Sequence, residues 1–347
     1  MLPNLNELRL QLEIPSINTS REINLLGQPN SIITDDVEAL HAIRDENGYI
    51  RLNSGIEIAM LMYRGQTQVY PRCVPTLARL ESVEQQLLAL CRRVAFEDAI
   101  GEHPMVRFAE RVRLWEMPLF IDREGLAQHY GLATDMLDLT SNFDVASFFA
   151  TCAWNAKNRK FEPVTSQEVP GILYLITPLL ANELLYSKDG FSPIHTLGWQ
   201  PLPRPEQQRA FVVKINRGQD FVTLPTVQGY RFKHRTDISE RIWRAFNKGY
   251  DLYPPDETAD LAQEAETLMQ FTDSQVTRAW ERLAHWNGRQ YSPAEQNEAN
   301  LAAEIITVKK PALSWDQYQV ERNEEKLMER ILEMRERIRW RRIAYVK

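Results

Sequence analysis

The stretch from Ser141 to Cys152 carries a clear helical pattern. Val145, Phe148, Phe149 and Cys152 fall at i, i+3, i+4 and i+7, one apolar face of a helix with Ser141 or Asn142 as its cap. A second stripe, Val83, Leu87, Leu90, Cys91 and Val94, runs beneath Glu and Arg side chains and predicts an amphipathic helix from Ser82 to about Phe96. A third helix is expected over Pro104 to Leu114. Three apolar blocks are too short for helices: IEIAMLMY (Ile56 to Tyr63), GILYLIT (Gly171 to Thr177) and RAFVVKI (Arg209 to Ile215). Each reads as a buried strand, the first ending in a turn at Arg64-Gly65.

Between the last two blocks the chain is rich in proline and ends GWQPLPRPEQQ, which reads as an ordered loop or a surface excursion. GQPNS and DENG are turn signals within a weakly patterned lead-in over residues 1–50. After Tyr253-Pro254-Pro255, Gly and Pro become rare, charges become dense and helical spacing dominates. The pattern predicts an α+β protein: a mixed β-sheet core domain flanked by helices over residues 51–255, then an α-helical C-terminal appendage over 256–347. No internal repeat is found.

Composition narrows the function classes. With 44% hydrophobic and 25% charged residues in 347, the chain is globular and long enough for one large domain or two. A net charge of −6 excludes a whole-chain field that would draw it to DNA or an anionic membrane. No uncharged stretch approaches the ~20 residues of a membrane helix, and the N-terminus lacks an export signal. A cytoplasmic protein without membrane contact is expected. Cys73, Cys91 and Cys152 are odd in number and widely spaced, which suggests neither a disulfide framework nor a zinc site. The histidines are scattered singly, so no metal site is announced.

One local exception to the charge balance is RERIRWRRIAYVK, where Arg335, Arg337, Arg339, Arg341, Arg342 and Lys347 surround Trp340 and Tyr345. This basic helix is the one route by which nucleic acid would be a partner. The simpler reading, cations at a helix C-terminus, is favoured by the Glu-rich turns just upstream.

Polar residues at the edges of the apolar blocks are the candidates for chemistry: Tyr63-Arg64-Gly65-Gln66, Gln128-His129-Tyr130-Gly131, Asp138-Leu139-Thr140-Ser141-Asn142 and Arg204-Pro205-Glu206-Gln207-Gln208. Clefts at strand ends are common small-ligand sites because donors converge there. Each element also has a purely structural reading. Arg64 pairs with Asp138, Thr140 or Ser141 caps the following helix with Ser141-x-x-Asp144 as a near capping box, and His129 is a hydrogen-bonded core histidine.

The combination LMYRGQ, PTLARLES-x-EQQLL, LAQHYGLATDMLDLTSNFDVASFFA, EQQRAF and LYPPDETADLA resembles the FRG domain, named for an aromatic-Arg-Gly motif that is Tyr63-Arg64-Gly65 here. The resemblance runs from about Ile56 to Leu261. Leu139 stands where the family usually has Trp, and Arg209 where it usually has Gly. The family name brings no reaction with it, but the order of motifs is similar to that of ADP-ribosyltransferase-like proteins of the Arg-Ser-Glu type.

That similarity implies NAD as a substrate, with no other cofactor. Arg64 would hold the diphosphate, Thr140 and Ser141 would order the nicotinamide ribose, and Glu206 or Gln207 would contact its 2′-hydroxyl. Tyr63, Gly65, Gln66, Gln128, His129, Asp138 and Asn142 would complete the ligand pocket. Two other classes stay open: a non-catalytic nucleotide- or protein-binding module, and a nucleic-acid-acting effector of bacterial defence. The sequence sets no oligomeric state.

Overall fold

The computed structural model describes residues 2–12, 23–24, 32–33, 39–45, 47–54, 61–189, 193–315 and 324–339. Its centre is a six-stranded sheet made of β3 (Met62–Gln66), β4 (Met136–Thr140), β7 (Gly171–Ile176), β8 (Ile194–Thr196), β9 (Ala210–Lys214) and β10 (Gln228–Phe232). The spatial order is β8-β9-β4-β3-β7-β10, and every pairing in it is antiparallel. All six residues of β7 are buried, as expected of a strand covered on both faces.

The α+β class holds, and the strand blocks are found with shifted bounds. The first is β3, whose pairing with β7 continues from Met62↔Ile176 to Gln66↔Ile172. Arg64-Gly65-Gln66 is therefore strand and not turn, because ladder hydrogen bonds carry the strand past the end of the apolar run. Ile56 to Met60, the turn at GQPNS and the basic residues from Trp340 onward lie outside the described residues. The proline-rich passage holds more structure than a loop: a helix at Pro178–Asp189, the edge strand β8 and the single turn α5 (Arg204–Gln207).

Helix α1 (Val83–Glu102) starts at a capping box in which Ser82 and Gln85 satisfy each other's backbone N–H groups. It runs past Phe96 because Ala99 and Ile100 extend the buried stripe. Helix α2 (Pro104–Arg111) stops before the expected Leu114, since Arg113–Leu114 pairs with Met117–Pro118. Helices α3 (Arg123–His129) and α4 (Phe143–Thr151) flank β4 in sequence. Asn142 caps α4, accepting from the N–H groups of Asp144 and Val145 at 2.7 and 3.2 Å.

Past residue 255 the chain forms α6 (Glu257–Thr267), α7 (Asp273–Asn287) and α8 (Pro293–Ala302). It also forms β11 (Gln270–Thr272) and β12 (Ile306–Val308), a parallel pair that the helical pattern did not announce. One apolar cluster joins Leu87, Leu90 and Val94 of α1 to Leu261, Phe271, Leu283 and Trp286. Among the described residues, no helix is long and apolar enough to cross a membrane. The three cysteines are buried and unbridged.

A separate corner forms from distant parts of the chain. The hairpin β1 (Leu40–Arg44) and β2 (Ile50–Ser54) pairs antiparallel. Then β13 (Ile338–Arg339), directly after α9 (Glu324–Arg337), adds to β1 in parallel. Leu40, Ile50, Leu52 and Trp199 share a cluster there with Leu327, Ile331 and Met334.

Beside this corner, His103 caps α2 through Nδ1, which accepts the Met105 N–H at 3.0 Å. Burial, and then the nearby Arg330 charge, push the His103 pKa down to about 4. A protonated ring would lose the acceptor, so folding favours the neutral form. The stability this contributes is complete above the ordinary value of 6.5 and is lost as pH falls through about 4. Denaturation midpoints should therefore drop between pH 6.5 and 4, and His103→Asn, a cap that does not titrate in this range, should flatten the drop.

Candidate functional site

The β3–β4 ladder consists of a single pair, Tyr63↔Thr140. Beyond it the two strands part, and the carbonyl of Asp138 is met by a side chain: Arg64 Nη1 donates to it at 2.8 Å. The expected Arg64–Asp138 contact is thus made to the backbone oxygen, not to the carboxylate. The buried Arg64 Nε finds no partner among the described residues.

A cleft of about 1230 Å³ opens over this gap. Its walls bring together eight of the residues given a site role: Tyr63, Arg64, Gly65, Gln66, Gln128, His129, Asp138 and Thr140. The Asp138 carboxylate accepts from Gln128 Nε2 at 3.1 Å through Oδ2, and its Oδ1 lies 3.5 Å from His129 Nε2. Gln128 is itself fixed by the Thr134 hydroxyl. His129 is buried, and desolvation lowers its pKa despite the neighbouring Asp138, so the ring is neutral. Burial likewise pushes the Tyr63 hydroxyl up to about 12, which keeps the phenol protonated.

The remaining candidates stand elsewhere. Ser141 is buried and its N–H donates to Arg209 O; it does not line the cleft. Asn142 is occupied as the α4 cap. Glu206 is buried and accepts from Arg337 of α9, while Gln207 points to solvent. Arg209, where the FRG pattern has glycine, adopts φ 48°, the left-handed region that glycine enters without a Cβ penalty.

Several cleft residues were given no role from the sequence, although Tyr130, Arg204 and Gln208 lie within the candidate strings. Gln208, next to the expected Glu206 and Gln207, is the one of the three that lines the cleft. Its carbonyl accepts the Thr140 hydroxyl at 2.7 Å and its amide reaches Leu252 O at 3.1 Å. The Arg204 guanidinium lies 4.2 Å from the Tyr130 ring centre and 5.2 Å from that of Tyr253. It also donates to His129 O at 3.3 Å. Tyr130 donates to Asp256 at 2.9 Å, and burial raises the Asp256 pKa. Arg79 shares the cleft with Arg64; burial, and then the charge of Arg64, lower its pKa. The Tyr253-Pro-Pro-Asp256 string was a usable signal, since it is among the motifs on which the resemblance was read, but it reads in the sequence as a boundary.

Chemically, the cleft offers two mutually repelling guanidinium groups, a carboxylate flanked by an amide and a neutral imidazole, and a set of aromatic rings. Among the described residues no His, Cys, Asp and Glu cluster is arranged to hold a metal ion. Fold and cleft together define an α+β protein with a polar site where two central strands part. Residues 59–159 match the family model of the FRG domain, and the chain is an FRG domain-containing protein. The match takes in Arg64, His129, Asp138 and α4, whereas Arg204, Gln208, Tyr253 and Asp256 lie beyond it. No curated protein matches the chain, and no solved structure does.

Proposed function

We propose that the cleft binds a nucleotide, with Arg64 and Arg79 gripping its phosphate oxygens. The observation that carries this reading is the half-buried Arg64 guanidinium, anchored by one N–H to Asp138 O and with its Nε unpartnered among the described residues. A phosphate oxygen would satisfy that donor in a charge-assisted bond. It would also relieve the repulsion between Arg64 and Arg79. The aromatic lining suits a base and ribose better than it suits a free anion. NAD is the first ligand to try, given the similarity of motif order to the ADP-ribosyltransferase-like proteins.

A second reading, cleavage of NAD at its nicotinamide bond, draws support from Asp138 and not from Glu206. The Asp138 carboxylate lines the cleft, held by Gln128, and its buried Oδ1 has no hydrogen-bond partner among the described residues. A carboxylate so placed would stabilise an oxocarbenium-like centre, as in glycoside cleavage. Glu206 is tied to Arg337 away from the cleft.

Calorimetric titration of NAD into the wild type and into Arg64→Ala tests the binding reading. The variant should bind about 10- to 100-fold more weakly, the worth of a hydrogen bond to a charged group. Equal affinities would remove Arg64 from the site and the proposal with it. Nicotinamide released by the wild type and not by Asp138→Asn would establish the enzyme; binding without release would leave a binding module.

A further inference from the structure

We infer that Trp154 and Tyr250 form a nucleobase subsite at the lip of the cleft, an inference that rests on the nucleotide reading above. The lip is a hairpin of β5 (Cys152–Asn155) and β6 (Lys160–Pro163). Trp154 is 54% exposed and Tyr250, on the turn after Ala245, is 56% exposed, yet both line the same cleft. Two large aromatic residues left half in solvent around one opening are informative where a single one would not be.

Behind Trp154 the wall is built of rings. Phe161 lies 5.1 Å from Trp154, and Tyr253 4.9 Å from Phe161. Phe149 closes the set at 6.2 Å from Tyr253. Arg204, at 5.2 Å from the Tyr253 ring, ends the series. Trp243 Nε1 donates to Phe161 O at 2.8 Å, which fastens the hairpin to the helix Thr236–Ala245. Trp154 is therefore held from behind by packed rings while its outer surface is open. A rigid, half-exposed aromatic platform of this kind stacks a base without reading its edge.

The facing side is set by an uncommon backbone. Asn247 and Lys248 have φ of 47° and 63° and precede Gly249 at 100°, three left-handed residues in succession. Non-glycine residues held in this region concentrate at ligand clamps. A Cβ on Gly249 would come within 3.1 Å of Phe148 and Phe161, so the turn is pressed against the ring cluster. It delivers Lys248 and Tyr250 to the lip, where Arg159 and Lys160 add positive charge; Glu162 offsets part of it through Lys160, at 3.6 Å. Cations beside exposed rings suit an electron-rich base joined to a phosphate chain. The cleft's 1230 Å³ exceeds the ~300–1,000 Å³ of most small-ligand pockets. It has room for a base at the lip while phosphates occupy the Arg64 end.

The test compares ATP with inorganic pyrophosphate, which lacks the base, by calorimetry. The wild type should bind ATP more tightly than pyrophosphate, with little preference between ATP, GTP and UTP. Trp154→Ala and Tyr250→Ala should each weaken ATP by about 5- to 150-fold and leave pyrophosphate unchanged. Trp154→Phe should retain most of the ATP affinity. Both positions are more than half exposed, so only small drops in melting temperature should accompany the losses. ATP binding that is no tighter than pyrophosphate binding, or that survives both alanine substitutions, overturns the subsite. Arg64→Ala separates the two readings: if it alters neither ligand, the phosphate anchor fails, whereas loss of both ligands in Arg64→Ala with no effect of Trp154→Ala leaves the anchor and removes the base site.

Discussion

Gly65→Ala should destabilise the protein by about 3 kcal/mol or more, at the upper end of the cost of overpacking a core. A Cβ at this position would lie 1.9 Å from Ala146 O, 2.7 Å from Ala150 N and 2.9 Å from Ala150 Cβ. The first two are backbone atoms of α4, so no change of rotamer relieves the clash. Strand β3 and helix α4 would have to move apart, in the middle of the sheet and beside Arg64. Set against the ~5–15 kcal/mol by which domains are stable, that is a large share. Urea or thermal denaturation measures it directly. A wild-type midpoint in Gly65→Ala would show that β3 and α4 are not packed backbone to backbone. A folded but shifted variant should also lose ligand affinity, because Arg64 would be carried with the strand.

Glu206→Ala separates two roles for one carboxylate. The Glu206 side chain is 10% exposed and accepts from Arg337, itself 18% exposed. Arg330 is a second nearby cation, its pKa lowered by burial and supported by the Glu206 charge. Removing the carboxylate takes away one partner of these cations in a largely dry site, while Glu333 stays 3.7 Å from Arg337, so the expected cost is that of a lost hydrogen bond to a charged group, about 1.5–3 kcal/mol. The expected result is a lower denaturation midpoint and faster proteolysis of α9, with ligand affinity at folded conditions unchanged. If the midpoint instead stays put while nicotinamide release disappears, Glu206 belongs to the site as the motif order implies.

The elements most legible in the sequence were those whose pattern is local. Val145 and Phe148 are buried on α4, with Cys152 buried at its C-cap, and β7 matches the apolar run GILYLI. The polar strand ends were legible too, since Gln128, His129, Asp138 and Thr140 meet Arg64 in one cleft. What the sequence could not supply is pairing. Arg64 bonds to the Asp138 carbonyl because β3 and β4 pair once and then part, and a sequence displays side chains but not vacant carbonyls. Nor could it choose among Glu206, Gln207 and Gln208. In helical geometry residues i and i+2 lie about 200° apart around the axis, so Glu206 in α5 faces α9 while Gln208, its C-cap, faces the cleft. Tyr253 and Asp256 show the opposite failing: the prolines between them look like a linker, although both residues line the cleft.

The parallel pairing of β13 with β1 also has a meaning for biosynthesis. The two strands are roughly 300 residues apart along the chain, and contacts so distant form last and slowly. At ~5–20 residues per second, the hairpin Leu40–Ser54 leaves the ribosome tens of seconds before Ile338 does. Throughout that interval β1 has a bare edge, and Leu40, Ile50 and Leu52 lack the α9 side chains that cover them. An open edge beside uncovered apolar residues invites pairing with another nascent chain. The wait for α9 is therefore an interval in which this corner is open to aggregation.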